Sequence, residues 1–426
     1  MSNKVGAVGA GRDNTRASDH PVTVGQELKE AARALLDGEA LRALSLAGRE
    51  QSALGLTLRG IAYAQLGDLE LARRSLLRAA AVEDDALTRA RARAALAEIE
   101  LTTGSPSSAA RAARESADEL ERLGDTRNAA MQRLVRARAE VLLGRLGEAR
   151  RLAVEVLLAD LPADLRAVAA LTQAEIASRA LAATDAAAAL VRARQSLARS
   201  PHPLLSRAVS ALEKELSAKV ARVLRRGAVH EVDLFAIEAL CRGDTLLVDA
   251  CRRLASAGRV TILLARRPIL FALLLLLARA WPEPVPRDEL AARAFDTRKP
   301  NASHRARLRV EIGRLRALTT DGLGAEPVAT KEGYALASRR EVVMLLPKTD
   351  DEVARVALLL ADGASWSAQG LADLTGVSKR TALRALTMLV EGGTAVRTGS
   401  GTAIRYRRPG PPVASRMLLL GLLPKG

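Results

Sequence analysis

The chain has 426 residues, too many for one small module and enough for two to four domains at roughly 100 to 200 residues each. Apolar residues make up 49 % but aromatics only 2 %, so its cores are built from Ala, Leu and Val, which fits close-packed helices and excludes an aromatic-rich β-sandwich. Sixty-five Lys and Arg against 48 Asp and Glu leave a formal net charge of +17, which points to a polyanionic partner, nucleic acid before a membrane surface.

The N-terminal stretch, residues 1–23, reads as a disordered tail. It opens MSNKVGAVGAGRDNTRASDH, with a single Lys and no apolar core of signal-peptide length, so no export is expected. Its Gly6-x-x-Gly9-x-Gly11 has no strand before it and no Lys-Ser/Thr after it, so it lacks the context of a phosphate loop. From Val24 to Arg226 the pattern is helix after helix. Gly67, Gly104, Gly144 and Thr184 lie 37, 40 and 40 residues apart, each followed five residues on by Ala72, Ala109, Ala149 or Ala189. Two antiparallel helices approach closely only where side chains are small, and Gly closes the first of them in a left-handed turn. The unit Leu56 to Ala79 resembles the tetratricopeptide repeat, with Gly60, Tyr63, Gly67, Ala72, Leu76 and Ala79 at that family's offsets. The resemblance implies stacked hairpins in a solenoid that binds a protein or peptide partner; a spacer or homodimerisation body is the alternative.

After Arg226 the texture changes. Short apolar runs, Leu246–Val248 and Val260–Leu263, predict a small antiparallel sheet. A helix over Arg267–Ala280 follows, whose apolar run Pro268–Ala278 is about half the roughly 20 residues needed to span a bilayer, so it is expected to be buried. A short helix over Arg287–Phe295 comes next, then a third capped by Asn301 or Ser303 and running to about Leu318, then a hairpin over Pro327–Ala337 around Glu332-Gly333. This order, with Val285 to Leu290, Ile312-x-Arg314-Leu315-Arg316 and Glu332-Gly333-Tyr334-x-Leu336, resembles the winged-helix effector domain of OmpR-type response regulators, over residues 240–338. Here a helical repeat stands where that family carries a receiver domain, which puts control by aspartyl phosphorylation in doubt.

Residues 348–410 predict a second winged helix-turn-helix. Its helices are Asp350–Ala361, Ser367–Leu374 and a Ser378-capped helix to Val390, and Ala395–Arg408 folds back as a wing. Leu371 to Val377 is similar to the helix-turn-helix signature. The linker between Ala337 and Asp350 is about 12 residues, of which Val342–Leu346 is apolar enough to be a strand. Residues 411–426 form an apolar tail.

Placing Leu308, Ile312 and Leu315 on the buried face of the third helix turns Ser303, Ala306, Val310, Gly313 and Ala317 outward. Small crest residues let the backbone approach base edges. Arg305, Arg307, Arg309, Arg314 and Arg316 flank the crest and Lys331 sits on the wing, all placed for phosphates or guanine edges. In the second unit a buried line of Leu383, Leu386 and Val390 leaves Lys379, Arg380, Thr381 and Arg384 outward, with Arg397, Arg405, Arg407 and Arg408 on or beside the wing. The expectation is a mainly α protein, an α-helical solenoid followed by two winged-helix domains with small β-sheets. It acts as a bacterial-type transcriptional regulator that binds double-stranded DNA; an adaptor whose winged helices hold protein partners is the rival. Cys241, Cys251 and four scattered histidines give no zinc or disulfide pattern, and no catalytic motif occurs. A reduced, cytoplasmic, cofactor-free protein that is neither an enzyme nor membrane-bound is therefore expected.

Overall fold

A computed structural model describes residues 20–83, 86–158, 161–348, 352–360, 366–375, 377–399, 401 and 404–407. The chain is mainly helical, with its strands in the C-terminal half. Helices α1 (His20–Asp37), α2 (Ala40–Ala47), α3 (Ala53–Leu66), α4 (Leu69–Ala81), α5 (Ala86–Thr102), α6 (Pro106–Arg122), α7 (Thr126–Leu142), α8 (Leu146–Leu158), α9 (Ala163–Arg179), α10 (Ala183–Arg199) and α11 (Pro203–Ser217) pack each against the next. Residues 20–23, expected in the tail, belong to α1. The rest of that tail and the apolar run Met417–Leu423 lie outside the described residues.

One turn device recurs along this array. At Gly38, Gly67, Gly104, Gly124 and Gly144 the backbone is left-handed, and in each case the glycine N–H and the next N–H bond back to carbonyls of the preceding helix. These are Schellman ends, which satisfy carbonyls that would otherwise lack a donor. The α9–α10 turn uses Leu181 at φ 57° in place of glycine. Thr184, expected to be the turn residue, lies instead in the first turn of α10. The predicted crossing residues Ala72, Ala109, Ala149 and Ala189 are all buried.

Helices α5, α7 and α9 are tied by polar rungs about one repeat apart. Arg91 bonds Asp125 at 2.8 Å, Gln132 donates to Glu98 at 3.3 Å, Arg127 pairs with Asp164, and Arg138 grips Glu175 through two bonds of 2.8 and 3.1 Å.

The helices end at Ser217, and strands begin at Ala221, before the expected boundary at Arg226. The next elements are β1 (Ala221–Arg225), β2 (Ala228–Val232), α12 (Leu234–Arg242), β3 (Leu246–Asp249), β4 (Leu254–Ala257), β5 (Val260–Leu263), α13 (Pro268–Ala280), β6 (Val285–Pro286), α14 (Arg287–Ala294), α15 (Ala302–Leu323), β7 (Ala325–Ala329), β8 (Gly333–Ser338) and β9 (Val342–Pro347). The main sheet has the order β2-β1-β9-β3-β4-β5, with β9 antiparallel to β1 and parallel to β3. Half of the supposed linker is therefore the central strand β9. Alternation along it is strict: Val342 and Met344 join Leu246 and Val248 beneath α13 and α15, while Val343 and Leu345 join Leu247, Val223 and Ile237 on the other face. A second sheet, β6-β8-β7, stands beside α15.

Beyond it lie α16 (Glu352–Leu360), α17 (Ala368–Thr375), α18 (Lys379–Glu391), and the ribbon β10 (Val396–Thr398) and β11 (Arg405–Arg407). Trp366 bridges to Tyr406. The buried face of α18 is Ala382, Ala385, Leu386 and Leu389, and Leu383, expected inside, is exposed. The core line is rotated because α16 and α17 both lie against α18, and alanine permits both approaches. Gly376, read as the turn residue, lies outside the described residues.

Candidate nucleic-acid interface

Helix α15 owes its place to its ends and one face. Asn301 caps it, accepting from the His304 N–H at 3.1 Å, while His304 Nδ1 accepts from the Asn301 N–H at 3.3 Å. Leu308, Ile312, Leu315, Thr319 and Leu323 are buried, and the helix runs past the expected end to Gly324, left-handed at φ 64°. Ser303, Ala306, Val310, Gly313 and Ala317 are all exposed, Val310 at 55 %.

The arginines along this crest have different surroundings. Arg305 makes two bonds to Asp288, at 2.7 and 2.6 Å, and its guanidinium holds the Asp288 carboxyl below the ordinary carboxylate range. Arg307 lies over the Phe295 ring, 4.6 Å from its centre. Arg314 bonds Glu311 at 2.9 Å, and Arg316 donates twice to the Pro327 carbonyl, at 3.1 and 2.7 Å, tying α15 to β7. Arg309 is exposed and has no such partner among the described residues. The Arg305–Asp288 and Arg314–Glu311 pairs are solvent-exposed on the arginine side and therefore weak, so either guanidinium can be taken over by another anion.

Lys331 is exposed in the β7–β8 turn. The turn is braced from below by Arg287, which donates to the Lys331 and Thr330 carbonyls at 3.2 and 2.8 Å and lies over the Tyr334 ring. Gly333 is needed for close approach: a Cβ there would stand 1.9 Å from the Val285 carbonyl oxygen.

Around α18, Lys379, Arg380 and Arg384 are exposed, whereas Thr381 is half-buried with its hydroxyl 2.8 Å from that of Ser378, the N-cap. Arg397 and Arg405 are exposed on the ribbon, Arg405 donating to the Ile404 carbonyl. Arg407, grouped with them from sequence, is 2 % exposed and faces the helical array, and Arg408 lies outside the described residues. Arg253, in the β3–β4 connection, donates to the Asp373 carbonyl at 2.8 Å, linking the main sheet to α17.

Sequence reasoning missed the carboxylate at the joint between array and sheet. Glu238 of α12, 4 % exposed, accepts from both the Thr184 N–H and its hydroxyl at 2.8 Å. Burial works against its charge, but these bonds prevail and hold it below the ordinary range. Its spacing of 54 residues from Thr184 leaves no local signal. Cys241 and Cys251 are free, half-buried thiols whose pKa values burial pushes up, so neither is an activated thiolate. Among the described residues there is no metal-binding group of His, Cys, Asp and Glu, and no helix long and apolar enough to cross a membrane. No protein-family model, curated protein or solved structure matches the chain.

Proposed function

We propose that the chain is a DNA-binding transcriptional regulator of mainly α class. Its helical array is a tetratricopeptide-like solenoid that takes a protein or peptide partner. The parts around α13–α15 and α16–α18 are two winged helices whose third helices, α15 and α18, enter the major groove of double-stranded DNA. The carrying observation is the α15 crest: exposed Ser303, Ala306, Val310, Gly313 and Ala317 flanked by arginines, on a helix backed by a full core. Such a face lets the backbone approach base edges while guanidinium groups meet phosphates.

The rival reading, an adaptor that binds proteins through the same units, draws on exposed apolar side chains on both helices, Val310 at 55 % and Met388 at 52 %. Salt separates the two. If roughly six to ten phosphates are neutralised, affinity for a duplex falls by about 10³ to 10⁵ between 50 and 200 mM salt. Arg309→Ala and Arg384→Ala each weaken binding with an unchanged melting temperature, because both side chains are exposed. Salt-insensitive retention, or loss of fold in either variant, defeats the DNA reading.

A further inference from the structure

The ribbon β10–β11 has one side on its own core and one turned away. Arg397 pairs with Tyr406, Thr398 with Arg405, and Val396 with Arg407. Tyr406 enters the core of the α16–α18 unit, so Val396, Thr398, Arg405 and Arg407 share the opposite side. That side meets the helical array. The Arg407 guanidinium reaches the Thr102 carbonyl at 3.4 Å, and Thr398 Cγ2 and Arg407 Nη2 lie so near Gly104 that a Cβ there would stand 2.7 Å from each. Gly104 is the left-handed residue (φ 91°) of the α5–α6 turn. The absent side chain is thus required twice, by the turn and by the ribbon that fits over it. Burial disfavours the Arg407 charge, and Arg179 nearby adds repulsion, so the cation sits there at a disadvantage.

We propose that this side of the ribbon is an exchangeable surface, held by the α5–α6 turn in the closed chain and released to the phosphate backbone of duplex DNA when the turn lets go. The inference rests on the DNA-binding reading above. Both occupants need Thr398 and Arg407 within contact distance, and Arg405 on the same side is open to solvent, so turn and duplex exclude one another. A partner that shifts α5–α6 therefore raises DNA affinity without touching DNA, by coupling through one shared surface.

Gly104→Asn tests it, since Asn tolerates the left-handed turn but sets a side chain where Thr398 and Arg407 lie. With the full chain and a random-sequence duplex of about 30 base pairs, the variant binds about threefold or more tighter than wild type at about 100 mM salt. Its log–log salt slope is steeper by about one to two, roughly one for each new phosphate contact. Amide exchange across residues 396–398 and 405–407 quickens in parallel. The double variant Gly104→Cys/Thr398→Cys, whose new thiols lie together, matches wild type when oxidised and Gly104→Asn when reduced. Unchanged exchange in Gly104→Asn overturns the latch, and faster exchange with unchanged affinity and slope overturns the competition. Absence of duplex binding in wild type and variants alike overturns the DNA reading itself, a separate failure.

Discussion

Glu98 of α5 shows how much one residue depends on its surroundings. It is fully buried, with Gln132 donating to it at 3.3 Å and the Arg138 charge nearby, yet burial outweighs both and raises its pKa well above the ordinary 4.5. The folded chain therefore keeps the carboxyl protonated where the unfolded chain has ionised it. Stability from this group is complete below about pH 4.5 and is lost as pH rises toward the folded value, by about 1.4 kcal/mol per unit. Glu98→Gln removes the titration, so its melting temperature exceeds that of wild type at pH 8, and the gap closes toward pH 4.5. A pH-independent gap in thermal melts contradicts this. Arginines on α15 teach the same lesson. Their outward direction follows from the spacing of Leu308, Ile312 and Leu315, but their neighbours Asp288, Phe295 and Pro327 arrive from other elements.

At the scale of elements, the helical hairpins were legible because their requirements are local. A left-handed turn calls for glycine, and a close crossing calls for alanine or glycine. Gly60 of α3 is the sharpest case: a Cβ there would lie 2.6 Å from Leu76 Cγ and 2.8 Å from Cδ2. Gly60→Ala, a favourable change for an isolated helix, is accordingly expected to destabilise by roughly 1 to 3 kcal/mol through overpacking. Denaturant melts with a lowered midpoint and constant slope check it; a stabilised variant refutes the close crossing. Leu181 departs from the glycine pattern where its side chain packs against the apolar cluster of α12 and the main sheet, which a glycine could not do. The α18 face was misread for a similar reason. Three-and-four spacing fits Leu383 as well as Ala382, and only the approach of α16 and α17 selects the alanines.

Across the whole molecule, the main sheet is assembled from distant segments. β1 and β2 precede α12, β3 to β5 follow it, and β9, beyond both α15 and the second sheet, lies between β1 and β3. A fragment starting at Leu240 loses β1, β2 and most of α12 and bares the β9 edge; one starting at Lys219 keeps the sheet whole. The Lys219 fragment is expected to melt cooperatively and to retain duplex binding. The Leu240 fragment is expected to lose its cooperative transition and to associate through the open edge. Equal melts for both fragments count against the observed strand order. The same order leaves only a short connection between Pro347 and α16, so the two proposed recognition helices have little freedom to be spaced independently.

What the amino-acid sequence determined by itself is what short-range chemistry dictates: most helices and their spacing, a cap at Asn301 or Ser303, the buried line of α15 and the basic charge. The tertiary structure alone decided the place of β9, the Glu238 joint 54 residues from Thr184, the rotated face of α18, and the turn of Arg407 into Gly104. The division has one cause. Periodicity and capping act over a few residues and leave a pattern in the chain, whereas pairing between segments up to about 300 residues apart, such as Thr102 with Arg407, is set by which surfaces meet once the elements have formed.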